Sequence, residues 1–155
     1  MTTKDACRDL VDTFKRYKEF IGCTWSFDTT DISYCATMES AGSWMKELLG
    51  DDLIYSSFTV MVTNRGEIMI NLYFARNQGR RMGRVLDDWY NGMRNSGFFS
   101  YVYITKEDGS TSASIDYTVN NVRESNYTEK RQKCLEGLVV LFKLMARDGL
   151  VRLLA

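Results

Sequence analysis

The densest cluster of side chains able to do chemistry is Arg76-Asn77-Gln78-Gly79-Arg80-Arg81-Met82-Gly83-Arg84, four arginines and two glycines within nine residues. Guanidinium forks bind phosphate or carboxylate bidentately, and the free amides at a helix start favour anions. Arg76, Arg80, Arg81 and Arg84 therefore form a candidate anion-binding site. The residue order is neither a phosphate-cradling GxxxxGK[ST] loop nor a GxGxxG dinucleotide turn. Arg81 and Arg84 stand at a helix start, where the dipole disfavours cations, and this points to a partner. The alternative is a solvated loop paired with Asp87, Asp88 or the acidic residues of the first helix.

Three carboxylate pairs, Asp51-Asp52, Asp87-Asp88 and Glu107-Asp108, have the chemistry for Mg²⁺ ligation or acid/base work. Each also has a simpler place, two at turns and one in the first turns of a helix, where acidic groups are favoured. The chain has no histidine, which removes the commonest general base, proton shuttle and metal ligand. Cys7, Cys23, Cys35 and Cys134 are separated by 16, 12 and 99 residues, matching neither a CxxC pair nor zinc-finger spacing. They read as reduced, small buried hydrophobes. The run Ser110-Thr111-Ser112-Ala113-Ser114 lacks a G-x-S-x-G elbow and reads as the polar face of a strand. No catalytic residue, metal or cofactor is expected.

Lys plus Arg and Asp plus Glu each number 20, so net charge gives no reason to expect nucleic acid or an anionic membrane. The charge is unevenly placed, net −4 over residues 1–60 and net +4 over 61–155, an asymmetry able to orient a partner or to be a dipolar surface without a role. The absence of proline excludes polyproline linkers and proline-rich ligand motifs. There is no apolar leader and no apolar run of membrane-spanning length, so a cytoplasmic location is expected.

The elements that must position these residues follow from periodicity. Leu10, Phe14, Tyr17 and Ile21 repeat at helical spacing up to Gly22. Residues 23–38 suit a strand or an irregular hairpin, and Ser40 or Ser43 caps a short helix holding Trp44, Met45, Leu48 and Leu49. From Leu53 the period becomes two: Phe58, Val60 and Val62, then Asn64-Arg65-Gly66, then Ile68, Ile70, Leu72 and Phe74, a hairpin. A helix over 81–94 precedes a second hairpin, 98–105 and 111–119, joined through Glu107-Asp108-Gly109-Ser110. A long helix over about 127–148 closes at Gly149. These predict one α+β domain of order αβαββαββα, an antiparallel sheet with helices packed on one face. Its parts are an N-terminal extension (1–40), a core (41–149) and an apolar tail (150–155).

On the alternate face of the strands fall Met61, Met69, Tyr73, Tyr101 and Tyr103. Methionine repacks easily and tyrosine gives large contact area at low entropic cost, so this face suits a client or a second copy. The alternative is that residues 23–38 or the tail Leu150 to Leu154 cover it. Aromatic strands flanked by arginines also stack single-stranded nucleic acid, but the neutral charge and the lack of a ribonucleoprotein signature argue against it.

Val85-Leu86-Asp87-Asp88-Trp89-Tyr90-Asn91, followed by Phe99-Ser100-Tyr101-Val102-Tyr103-Ile104-Thr105-Lys106-Glu107-Asp108-Gly109, resembles the bacterial YbjN family. In that family a helix carrying an Asn runs into a strand, an acidic-Gly turn, a second strand and a long closing helix. Asn91 and Asp108-Gly109 occupy those places, and the resemblance spans about residues 53–148. It implies a fold like that of type III secretion chaperones, small proteins that usually dimerise and bind other proteins. Residues 1–40 depart from a minimal YbjN domain, and the neutral charge departs from the acidic habit of secretion chaperones. The leading expectation is a non-enzymatic, chaperone- or adaptor-like module, homodimeric and holding a protein client. A phage or mobile-element inhibitor blocking a host factor, and a nucleotide or oligonucleotide sensor working through the arginine loop, are the alternatives.

Overall fold

A computed structural model describes residues 2–49, 56–75, 82–93, 102–106 and 112–150; of residues 75, 82–86, 93, 102–106, 112 and 113 it describes the backbone alone. Two-residue alternation produces β3 (Ser56–Thr63) and β4 (Ile68–Ala75), which pair antiparallel with Val60 opposite Ile70 and Met61 opposite Met69. The turn between them closes at Gly66, whose φ of +81° is readily available only to glycine. Residues 23–40 resolve into a hairpin, β1 (Thr24–Thr29) and β2 (Ser33–Ser40), with a bulge where Thr24 faces Ser40 and Trp25 faces Met38. With β5 (Val102–Lys106) and β6 (Ser112–Val119) they form a six-stranded antiparallel sheet of order β1-β2-β3-β4-β6-β5. The fold is α+β, as expected, with one more strand than the predicted order counted, because the N-terminal segment is a hairpin of the sheet itself.

The helices α1 (Thr3–Phe14), α2 (Ser43–Leu49), α3 (Met82–Met93) and α4 (Tyr127–Asp148) each precede a hairpin or close the chain. α1 lies over β2 and β3, α3 over β5 and β6, and α4 reaches β6 and α2. The Trp89 indole Nε1 donates to Asp148 Oδ2 at 2.9 Å and ties α3 to α4. That bond and the neighbouring Arg147 guanidinium hold the Asp148 carboxyl below its usual range, the Arg147 hydrogen bond contributing most. α4 ends where expected, at Gly149 in the left-handed conformation.

The first helix stops at Phe14, not at Gly22. A 3₁₀ turn, Lys18–Phe20, follows it and drives Phe20 into the core, where its ring stacks 4.9 Å from that of Phe14. Tyr17 and Ile21 thus leave the helical stripe, and Ile21 is 63% exposed. The core is one cluster: Phe14, Phe20, Phe58 and Phe142 are buried from four separate elements, with Trp25 and Trp44 packed against them. Residues 1–40 therefore supply core side chains rather than an appendage, since Cys7, Leu10, Val11 and Phe14 are all fully buried.

α1 is fastened to the start of α4 by a polar clamp. Tyr127 Oη donates to Asp9 Oδ2 at 2.7 Å, with the Ala6 carbonyl 3.1 Å away, and Arg131 Nη1 donates to the same carboxylate oxygen at 2.7 Å. Burial pushes the Asp9 carboxyl upward, but the hydrogen bonds from Tyr127 and Arg131 and the Arg131 charge outweigh it and leave it below its usual value. Burial, reinforced by Asp9, pushes the Tyr127 phenol up, so it stays a donor at any physiological pH. A lowered carboxyl contributes stability that is complete above the unfolded value of about 3.9 and is lost as pH falls through the folded value. Asp9→Asn should therefore lower the melting temperature at pH 7, with the gap to the unsubstituted chain closing below about pH 4. Melts between pH 7 and pH 2.5 check this; a gap independent of pH would show that the carboxylate charge is not what the clamp uses.

Candidate functional site

Helices cover one face of the sheet, and the pleat carries every second residue to the other. The register places Asp28, Cys35, Met61, Met69 and Thr118 in one row across β1, β2, β3, β4 and β6. Ser26, Thr37, Thr59, Asn71 and Asp116 form the next row, and Ser57, Tyr73 and Ser114 a third. Val60, Ile70, Leu72 and Ile115, at the alternate positions, are buried under the helices. Met61, Met69 and Tyr73 are half-buried and lie on the face opposite the helices, as their alternation predicts.

Residues 23–38 do not cover this face. They extend it, because they join the sheet as β1 and β2. The tail 151–155 lies outside the described residues, as does Tyr101; Tyr103 is placed in β5 with its Cα opposite Asp116, and its side chain is not described.

The polar row is internally bonded. Asn71 Nδ2 donates to Asp116 Oδ1 at 2.7 Å, and Ser114 Oγ donates to Asp116 Oδ2 at 3.1 Å. Thr37 and Thr59 hydroxyls meet at 3.4 Å. Fixed in this way, the amide and carboxylate hold their rotamers, so the face presents a rigid polar strip beside an adaptable methionine pair. Sequence reasoning missed this network. Asn71 and Asp116 fall at outward positions of their strands, but only the β4–β6 pairing brings residues 45 apart in sequence together.

Of the candidate anion site, Arg76, Arg80 and Arg81 lie outside the described residues, and Arg84 is placed on α3 with its side chain undescribed. The pairs Asp51-Asp52 and Glu107-Asp108 also lie outside them. On α3, Asp87 is half-buried and Asp88 exposed. Among the described residues no cluster of three His, Cys, Asp or Glu side chains has metal-binding geometry, and no helix is long and apolar enough to cross a membrane. The cysteines are free thiols. Burial pushes Cys7 and Cys134 up to about 12 and raises Cys23 as well, which makes these three poor nucleophiles. Cys35 is half-buried on the open sheet face, opposite Met61.

A cavity of about 430 Å³ opens between the start of α1, the β3–β4 turn and the approach to α4. Three of its four lining hydroxyls already have partners. Thr2 Oγ1 accepts from the Asp5 amide, Thr63 Oγ1 donates to Glu67 Oε1, and Tyr127 Oη serves the clamp. Its charged lining residues, Arg123 and Glu124, are of opposite sign. The open sheet face is therefore the better candidate. Compared with protein-family models, curated proteins and solved structures, the chain has no significant match.

Proposed function

We propose that this chain is a protein-binding module that performs no chemistry of its own and holds a protein client on the open face of its sheet, in the manner of a chaperone or adaptor. The observation that carries this reading is the half-buried row centred on Met61 and Met69, with Tyr73 beside it on the same face, away from the helices. Directly opposed methionines offer an apolar, readily repacked surface, and tyrosine adds contact area with little ordering cost. The bonded pair of Asn71 and Asp116 would give a bound segment fixed polar partners. The resemblance of residues 53–148 to YbjN and secretion-chaperone proteins supports the same reading, as does the shortage of activated nucleophiles among the described cysteines.

The test uses an unfolding reporter enzyme as the client. The wild-type chain should suppress the reporter's aggregation on mild heating, and Met61→Lys with Met69→Lys should lose most of that effect while keeping the wild-type far-UV spectrum. Alkylation of Cys35, which lies in the Met61 row, should slow when the reporter is held. Equal suppression by wild type and the lysine variant, with Cys35 labelling unchanged, would remove the open face from the reading.

A further inference from the structure

The cavity of about 430 Å³ between α1, the β3–β4 turn and the approach to α4 has the size of a small-molecule site. Its walls are fixed by bonds of their own. The Val122 amide donates to the Gly66 carbonyl at 2.9 Å, the Asn64 backbone amide to the Ile32 carbonyl at 2.8 Å, and Tyr127 is held by the Asp9 clamp. Ala6, Val62 and Tyr127, all buried, give the lining an apolar part. The same lining carries three polar side chains with no hydrogen-bond or ion-pair partner among the described residues: the Thr3 hydroxyl, the Asn64 carboxamide and the Arg123 guanidinium.

We infer that this cavity binds a small apolar carboxylate, with its apolar body against Ala6, Val62 and Tyr127 and its charge on Arg123. The guanidinium fork matches a carboxylate bidentately, and the Thr3 hydroxyl and the Asn64 carboxamide supply further donors within the same lining. The first turn of α1 forms one wall, so the helix dipole adds to the preference for a negative charge. A single negative charge suits the site better than a phosphate dianion, because the lining offers one guanidinium and also carries the Glu124 carboxylate. Glu124 separates the two sources of such a ligand. In a free apolar amino acid the ammonium group has Glu124 as its counter-charge, whereas a simple carboxylic acid has no use for it. A ligand seated here touches α1, the β3–β4 turn and the residues before α4 together, so it reinforces the junction that the Asp9 clamp fastens. This site does not depend on the client-binding reading, which uses the sheet face.

Melting of the full chain with 3-phenylpropanoate, L-phenylalanine, 3-phenylpropanol or L-phenylalaninamide, each at about 10 mM, tests this, since a ligand at about ten times its dissociation constant raises the midpoint by about 3–6 °C. At least one of the two carboxylates should give such a rise, and the alcohol and the amide, which lack the carboxylate, should give less than about 1 °C. Arg123→Gln, which leaves the backbone bonds of that residue in place, should weaken binding of the carboxylate at least about tenfold by calorimetry. Val122→Phe, which fills the cavity, should abolish the rise while keeping the wild-type far-UV spectrum. A free amino acid as occupant gives tighter binding of phenylalanine, an advantage lost in Glu124→Gln; a simple acid gives tighter binding of phenylpropanoate, kept or strengthened in that variant. No rise with either carboxylate, an equal rise with the alcohol, or binding unchanged in Arg123→Gln would overturn the inference. Met61→Lys with Met69→Lys should leave carboxylate binding unchanged, so loss of client holding and loss of the ligand are read separately.

Discussion

Gly42→Ala is expected to leave little or no folded protein. A Cβ at this position would stand 1.8 Å from the Ile21 carbonyl oxygen and 2.8 Å from its carbon, with the Gly22 carbonyl carbon at 3.2 Å. All three are backbone atoms, so no rotamer change relieves the overlap. The chain entering β1 and the chain leaving β2 for α2 cross here, and the Gly42 amide also donates to Cys23 Sγ at 3.2 Å. Separating them would pull Phe20 and Trp25 away from Phe14 and Phe58, since those rings are anchored a few residues from the crossing. Overpacking that side chains can absorb costs about 1–3 kcal/mol, and a backbone collision costs more, against a total stability of about 5–15 kcal/mol. Thermal melting of purified Gly42→Ala checks this. A cooperative transition within about 3 °C of wild type would mean that the crossing opens easily and that the hairpin is not locked to the 3₁₀ turn.

Gly137→Ala should also destabilise, against the helix-propensity rule that favours alanine by about 1 kcal/mol in a helix interior. Gly137 lies in the middle of α4, where its missing side chain admits the ring of Tyr117 from β6. A Cβ there would meet Tyr117 Oη at 2.0 Å, Cζ at 2.7 Å and Cε2 at 3.1 Å. The ring is 5% exposed, and its hydroxyl donates to the Lys133 carbonyl at 3.4 Å, so it has little room to withdraw. We expect a net loss of about 1–3 kcal/mol, a fall in melting temperature of roughly 2–12 °C for a chain of this size. A double-mutant cycle isolates the cause: Tyr117→Val should cost stability alone, and combined with Gly137→Ala should cost less than the sum. A stabilised Gly137→Ala, or strict additivity, would show that the ring does not occupy the space above the glycine.

The two glycines illustrate what local reasoning leaves out. Gly66 and Gly149 are legible in the sequence as a turn and a stop, because a left-handed residue ends a periodic pattern, whereas Gly22 is left-handed too but follows the 3₁₀ turn instead of ending the helix. Gly42 and Gly137 interrupt nothing local; their requirement comes from Ile21 and Tyr117, residues that only folding brings near. The same holds for the first helix. Its apolar spacing continues through Tyr17 and Ile21, yet the chain leaves the helix at Phe14, and the 3₁₀ turn that follows buries Phe20 against Phe14, Phe58 and Phe142.

By itself the sequence determined the α+β class, the β3–β4 hairpin and the identity of its two faces. A period of two is a property of the strand alone, so Met61, Met69 and Tyr73 had to share the face opposite Val60, Ile70 and Leu72. Only the tertiary structure decided that residues 24–40 extend this face as β1 and β2, that β6 sits between β4 and β5, and that β1 is the last strand on its side among the described residues. It alone assembled the clamp of Asp9 with Tyr127, 118 residues apart, and the pair of Asn71 with Asp116. The physical reason is the range of the forces involved: alternation and capping act between neighbours along the chain, whereas strand order and side-chain hydrogen bonds are set by which distant surfaces bury the most apolar area together.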